Sequence, residues 1–438
     1  MDCNVTYLGD LSIDGGKYGI AAPAVEYDPQ FPAYLRISDI NDDGTLNTTD
    51  RKSVADPSAK NYMLKRGDIV FARTGGSTGR NYYYDERDGN FAFAGFLIKF
   101  SLDPTRVNPR FIKYYTQSKP YWNWIRSFNT GSTRGNINAK TLANMPIPLP
   151  SQPVQNAIVS ICDSISEKIR LNNRLNGYLE ELLFAKYDEL FPAESEHDGT
   201  LADIGTVVGG ATPSKKRAEY YCENGIGWIT PRDLSNSGDK FIAQGAVDLT
   251  EEGYSSCSVK LLPAGSVLFS SRAPIGYVAI AAANVTTNQG FKSIVPKEEF
   301  GTAFVYCFLV RNKKKIADMG AGTTFPEVSG SMMRSVPLSL PSGQLCAEFS
   351  AFAHPILEQQ RSFELENRNL CLLRDTLLPK LMSGKIDVSK VDLTQLNSHL
   401  AQIRKLNDAP LATTDLGFRF DRSHYTPLLY NPSSSQQQ

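Results

Sequence analysis

Apolar residues recur after Pro150 at Val154, Ile158, Ile161, Ile165 and Ile169, then at Leu175, Leu179 and Leu182. Steps of three and four residues mark one face of an α-helix, so a long helix is predicted near 152–190. A second run follows Pro341 at Phe349, Phe352, Ile356, Phe363, Leu370, Leu373 and Leu377. With Gln359 and Glu366 as polar seam positions it keeps the alternation of a heptad, which predicts a helix near 343–384. Polar residues in such a seam cost stability and fix register; Asn172, Asn173, Glu366 and Asn367 are placed to do so. Pro355 is expected to bend the second helix. Helices of this length would span about 50–60 Å at about 1.5 Å per residue.

Elsewhere the pattern shortens to strands, and it is written twice. "GSTRGNINAKTLANMPIPLP" (131–150) has a counterpart in "GTTFPEVSGSMMRSVPLSLP" (322–341). "LKRGDIVFARTGGSTGR" (64–80) matches "LPAGSVLFSSRAPIGYV" (262–278), each an apolar strand after a Gly turn. "YLRISDINDDG" (34–44) matches "GWITPRDLSNSG" (227–238), each read as a short strand followed by a polar, Asp-containing turn. "LNNRLNGYLEELLFAKYDEL" (171–190) matches "LENRNLCLLRDTLLPKLMSG" (365–384). Four blocks in the same order, about 190 residues apart, exceed any solenoid period. They describe a duplicated domain with a helix after each copy. Beyond Ile386 one short helix is expected, and the closing "YNPSSSQQQ" has the composition of disorder.

Composition narrows the class. A chain of 438 residues is too long for one core, and 41% hydrophobic content suits a globular protein. No apolar stretch has membrane-spanning length, and residues 1–10 do not read as a signal peptide. The seven cysteines are odd in number and form no C-x-x-C pair. That favours a reducing cytoplasm over a disulfide scaffold or a zinc site. Lys plus Arg and Asp plus Glu both number 46, so a nucleic-acid surface would need clustered charge.

Catalytic signatures are missing. The chain has no [ND]-P-P-[YFW] methyltransferase motif, no Walker loop, no G-x-S-x-G and no H-E-x-x-H. His197, His354, His399 and His424 are scattered. "RTGGSTGR" (73–80) lacks the Walker lysine and reads as a surface hairpin, and "AAANVTTNQG" (281–290) reads as a polar loop. "RNKKK" (311–315) reads as the cationic C-terminal end of a helix.

What remains suits DNA. Basic residues alternate with hydroxyl, Gly and aromatic residues in expected loops. The DNA-binding candidates in the first copy are Arg73, Ser77, Thr78, Arg80, Ser132, Thr133 and Arg134. Those in the second are Lys215, Lys216, Arg232, Arg272, Gln289, Lys292, Thr323 and Thr324. Arg and Lys reach phosphates and guanine edges, Gln can read adenine, and Ser and Thr donate to phosphate oxygens. Arg272 lies just past a strand, near where Arg73 falls in the first copy.

The assembled pattern resembles the DNA-specificity subunit of type I restriction–modification systems. The G-[ST]-T…P-x-x-L-P block stands at 131–150 and 322–341. "LEELLFAKYDELF" (179–191) and "LLPKLMSGKI" (377–386) are similar to the family's central and distal regions. "GGATPSKK" (209–216) and "WITPRDL" (228–234) look like the start of a recognition domain. The resemblance covers about residues 1–387 and implies an α+β fold. In it, two globular target recognition domains are separated by two long antiparallel coiled-coil helices, with an internal pseudo-twofold repeat. The expected parts are domain 1 at 1–150, a central helix at 151–191, domain 2 at 192–341, a distal helix at 342–387 and a tail at 388–438.

The resemblance further implies a non-catalytic cytoplasmic subunit reading a bipartite site in double-stranded DNA. Its partners would be two modification subunits, which methylate adenine with S-adenosylmethionine, and two restriction subunits, which use ATP and Mg2+ to translocate and cleave. No cofactor or metal is expected in this chain. From the residues alone two rivals stay open: a non-DNA coiled-coil scaffold displaying two repeated domains, and an enzyme fusing recognition with catalysis.

Overall fold

The computed structural model describes residues 4–47, 50–128, 135–192, 197–272, 274–320, 326–388 and 392–408. They form a mixed helix-and-strand fold in two compact units. Among the described residues, the first unit takes those up to Leu171 and those from Arg368 onward. The second takes Asn172–Asn367.

Each unit closes by pairing its first strand with its last. Asn4–Tyr7 runs antiparallel to Pro146–Leu149, and Gly199–Thr200 runs antiparallel to Pro337–Leu338. The repeated Leu-Pro segments are therefore closing strands. A few residues later the long helices begin, at Gln152–Leu190 and Gly343–Met382. Just before each closing strand lies a one-turn helix, Ala139–Ala143 or Gly330–Arg334. Asn138 Oδ1 accepts from the Thr141 amide at 2.8 Å, and Ser329 Oγ accepts from the Met332 amide at 3.2 Å. Such caps satisfy amides that the first helical turn leaves free.

The interior pairings also recur. In the first unit Lys17–Tyr18, Leu97–Ser101, Asp68–Ala72 and Asn81–Tyr83 form an antiparallel sheet in that order. In the second, Gly205–Gly209, Lys292–Pro296, Val267–Phe269 and Val278–Ala281 repeat the order, and Phe241–Ile242 adds a parallel fifth strand. Ala33–Leu35 runs parallel to Phe91–Phe93, as Gly227–Ile229 does to Val285–Thr287. The strand Asp68–Ala72 is buried along its whole length. Its one charge is satisfied, because the Asp68 carboxylate accepts from Ser101 Oγ at 2.6 Å and Lys99 Nζ at 3.0 Å. A buried carboxylate needs such partners to offset the cost of leaving water.

Two expectations change here. Residues 281–290 are not simply a polar loop, since Val285–Thr287 is a buried strand. Its Thr286 hydroxyl donates to the Gly227 carbonyl at 2.9 Å, so the polar residues are consumed by a neighbouring strand. Likewise the segment after Ile229 is a helix, Pro231–Ser237, rather than a turn. Thr230 and Asp233 form a capping box across its first turn, with Pro231 at its start, a combination that nucleates helix.

The long helices pack by position. In the second unit Leu183, Phe184 and Tyr187 share a core with Phe349, Ala353 and Ile356 and with the helix Gly301–Asp318. Asn172 Nδ2 donates to Glu366 Oε2 at 2.8 Å and to Asn367 Oδ1 at 2.9 Å, and Asn367 Nδ2 donates to Asn173 Oδ1 at 2.7 Å. Farther along, Gln360 Nε2 donates to the Asn176 carbonyl at 3.1 Å. Rising numbers on one helix meet falling numbers on the other, so within this unit the two segments run antiparallel. In the first unit Ile158 and Cys162 share a core with Leu378 and Leu381. The helix assignment continues through Pro355, so the proline does not end it.

The apolar seam is less regular than its heptads suggest. Leu182 and Leu373 are exposed, at 47% and 46%. A straight helix drifts about 20° per heptad against a strict seven-residue repeat, which turns such positions outward. Acidic residues take part of the buried face instead. In the first unit Asp163 and Glu167 are buried. Asp163 accepts from Tyr114 Oη at 2.6 Å and Arg404 Nη2 at 2.5 Å. Glu167 accepts from both Arg87 Nη groups at 2.8 Å and from Asn407 Nδ2 at 2.8 Å. Arg404 and Asn407 lie on the helix Thr394–Asp408, the short helix expected in the tail. The expected disorder of the last residues falls outside the described range. Among the described residues no helix is long and apolar enough to cross a membrane.

Burial pushes the Glu167 carboxyl up, but Arg87 and Asn407 outweigh it and hold the group below the usual carboxylate range. A depressed folded pKa means that its stabilisation is present above the unfolded value, about 4.3. It is lost as pH falls through the folded value. The urea midpoint of the wild type should therefore fall more steeply below about pH 4.3 than that of Glu167→Gln, while the variant starts lower at neutral pH. Urea titrations across that range check this.

Candidate nucleic-acid interface

The segment 73–80 forms the expected hairpin between Asp68–Ala72 and Asn81–Tyr83. Gly79 closes it at φ +90°, a conformation that L side chains rarely adopt. Gly276 does the same in the second unit at φ +99°. The hairpin divides the first-copy candidates. The Thr78 hydroxyl donates inward, to the carbonyls of Gly75 at 2.7 Å and Gly135 at 3.0 Å. Arg80 Nε pairs with Asp42 at 2.5 Å. Both groups brace the loop. Ser77 ends the one-turn helix Gly75–Ser77 and is half-buried. Arg73 lies over the Tyr18 ring at 5.2 Å, and its buried Nε has no hydrogen-bond partner among the described residues. The Arg73 amide donates to the carbonyl of Phe96, whose ring is exposed.

In the second unit several segments converge. The Ser271 amide donates to the Gly290 carbonyl at 2.8 Å, and a Cβ on Gly290 would touch the Pro231 ring. Thus Arg272, Gln289 and Arg232 stand on adjoining segments. Gln289 and Arg232 are exposed, and Gln289 accepts from Thr212 Oγ1. Arg272 Nε lies 3.0 Å from Glu327 Oε2, and Lys292 Nζ lies 3.5 Å from Glu327 Oε1. Burial pushes the Glu327 carboxyl up, and these two cations more than reverse it, holding the group ionised below its ordinary value. Lys215 and Lys216 are exposed on the preceding loop. Beside them Arg217 pairs with Glu219 at 3.0 Å and lies over Tyr220. Ser132, Thr133, Arg134, Thr323 and Thr324 lie outside the described residues.

The two clusters occupy the same place in their sheets. Thr74 bridges Asn136 as Arg272 bridges Glu327, all antiparallel. The Ile137 amide donates to the Arg73 carbonyl at 2.8 Å, and that of Val328 to the Ser271 carbonyl at 2.9 Å. The counterpart of Arg272 is therefore Thr74, one residue beyond Arg73. Gly19 and Gly210 match as well. A Cβ on Gly19 would overlap the carbonyl oxygens of Phe93 and Ala94, and one on Gly210 those of Thr287 and Asn288.

The family model of the type I restriction modification DNA specificity domain matches this chain twice, at residues 3–181 and 194–345. The chain belongs to that family. Each specificity-domain match takes in one set of closing strands and one cluster. The HindI specificity subunit of Haemophilus influenzae is 24% identical over 442 aligned residues, covering 81% of this chain and 95% of that protein. The MjaIX specificity subunit of Methanocaldococcus jannaschii is 43% identical over 145 residues, 32% of this chain and 33% of that protein. A crystal structure of the S subunit of a type I restriction–modification system from M. genitalium has the same fold at a TM-score of 0.52 and 17% identity, covering 87% of this chain and 96% of that one.

Four residues of these specificity-domain clusters escaped the sequence: Tyr18, Phe96, Thr212 and Glu327. Glu327 had a signal, since it stands inside the repeated block opposite Asn136. The others meet their partners only through sheet pairing.

The close approach at Gly210 is testable. A methyl group there must push back the segment carrying Gln289. Gly210→Ala should therefore lower the unfolding temperature and speed amide exchange at 285–291, leaving exchange at 91–97 unchanged. Hydrogen-exchange mass spectrometry reads both regions in one experiment.

Proposed function

We propose that this chain is the DNA-reading subunit of a type I restriction–modification complex, with each specificity domain reading one half of a bipartite site in double-stranded DNA. The observation that carries the proposal is the recurrence of one backbone frame with cations and aromatic or amide groups on it: Arg73, Tyr18 and Phe96 in one copy, Arg272, Lys292, Arg232 and Gln289 in the other. Guanidinium and amide groups are the side chains that read base edges, and lysine and hydroxyl groups hold phosphates. Ser132, Thr133, Arg134, Thr323 and Thr324 adjoin the same frame in sequence and are proposed to extend it.

On this reading the long helices form an antiparallel coiled coil that sets the distance between the two readers. A single chain then acts as a dimer does on two half-sites. The chain itself is non-catalytic and cytoplasmic. Two modification subunits dock on the helices and methylate adenine with S-adenosylmethionine, and two restriction subunits supply ATP- and Mg2+-dependent translocation and cleavage.

The test is to read the methylated motif from the genome of a host carrying the complete system, for the wild type and for a lengthened rod. Four residues are inserted between Leu171 and Asn172 and four more between Asn367 and Arg368, where the units divide, so that contacts inside each unit are kept. Four residues add about 6 Å of helix in about one turn. That is close to two base pairs at about 3.4 Å each. The variant should methylate the same two half-sites across a spacer about two base pairs longer. Altered half-sites with an unchanged spacer would show that the helices are not the ruler. Absence of any salt-dependent duplex affinity in the wild-type complex would favour the non-DNA scaffold.

A further inference from the structure

We propose that Arg272 reads a guanine in the second half-site and that Glu327 is the residue that positions it; this rests on the DNA-reading function proposed above. Arg272 follows the buried strand Val267–Phe269, and its backbone is bridged to Glu327. The Val328 amide locks that bridge by donating to the Ser271 carbonyl at 2.9 Å. The two side chains therefore start from fixed points. The carboxylate is held at both ends, Oε2 by Arg272 Nε at 3.0 Å and Oε1 by Lys292 Nζ at 3.5 Å. Lys292 is mostly buried, while the Arg272 side chain is 47% exposed. The ion pair is made at Nε, and neither Nη group donates a hydrogen bond among the described residues. A guanidinium fixed through one edge still presents parallel N–H donors, which match guanine O6 and N7.

The charge argues for a base rather than a phosphate. Two cations sharing one carboxylate carry a single net positive charge. A phosphate contact draws on released counterions and is weakened by a nearby anion. A bidentate base contact depends on orientation, which the anion improves. The first unit supplies an internal control, since Thr74 and Asn136 occupy the same bridge without charge.

The experiment selects binding sites from a random duplex library with the full chain assembled with its modification subunits. Wild type, Arg272→Ala, Glu327→Gln and Glu327→Asp are compared. The wild type should enrich one guanine position in the second half-site that Arg272→Ala relaxes by about tenfold. The first half-site should keep its preference in every variant, which also reports that the chain is folded. The salt slope should change by less than about one unit in Arg272→Ala. Glu327→Gln should broaden the same position and bind a scrambled duplex more tightly, and Glu327→Asp should restore part of the preference. A base profile unchanged by Arg272→Ala overturns the guanine contact. So does a uniform loss with a slope change of about one, the sign of a phosphate contact. Full guanine preference in Glu327→Gln overturns the positioning role. If no version binds duplex in a salt-dependent way, wild type included, the DNA-reading function itself fails and this inference with it.

Discussion

The amide contact between the two long helices is the constraint on which the second unit's packing depends. Asn172 is fully buried, and its Nδ2 reaches Glu366 and Asn367 across the seam. Leaving a buried polar group unmatched costs about 1–3 kcal/mol, and sliding one helix past the other would unmatch several together. Aliphatic contacts could not supply that selectivity, because a leucine accepts many neighbours. Once the register is set, Leu183, Phe184 and Tyr187 come opposite Phe349 and Ile356. Lys240 then reaches Glu180 and Gln360 from the sheet side. The polar seam thus decides which face of each helix the recognition sheet meets.

The closing strands pass that order to the sheets. Because the first strand of each unit pairs with the strand just before a long helix, the sheet's end is tied to the helix start by a few residues. The hairpin and the bridge beside it then fall at equivalent places in both copies. What differs is the chemistry placed on them, Thr74 and Asn136 in one and Arg272 and Glu327 in the other. One backbone frame carrying exchangeable side chains is how a duplicated fold can address two different ligands.

Local patterns made much of this legible. Helical periodicity gave both long helices almost to the residue, a Gly turn before an apolar run gave the strand within 64–80, and the Gly-rich run gave the hairpin at 73–80. The Leu-Pro repeat flagged equivalent places in the two copies, but that they are closing strands emerged only from their pairing with Asn4–Tyr7 and Gly199–Thr200. The misses have a common cause in contacts distant along the chain. Val285–Thr287 looked like loop because its parallel partner lies at Gly227–Ile229. The loop contacts of Thr78 and Arg80 were not legible, because Gly135 and Asp42, which engage them, are remote in sequence. The partners of Asp163 and Glu167 were not legible, because Arg404 and Asn407 return from the far end of the chain.

The zero net charge that seemed to count against DNA has a local counterpart. Several cations near the clusters are matched by a carboxylate: Arg80 by Asp42, Arg217 by Glu219, Arg272 and Lys292 by Glu327. A surface paired in this way generates a weak long-range field, so it gains little from counterion release on arbitrary sequence. On the proposed reading its selectivity is correspondingly larger, because base contacts remain when the phosphate contribution is small. For a reader in a complex, that division is physically sensible. Non-specific affinity can come from partner subunits, whereas discrimination between base pairs must come from side chains whose positions are fixed before DNA arrives.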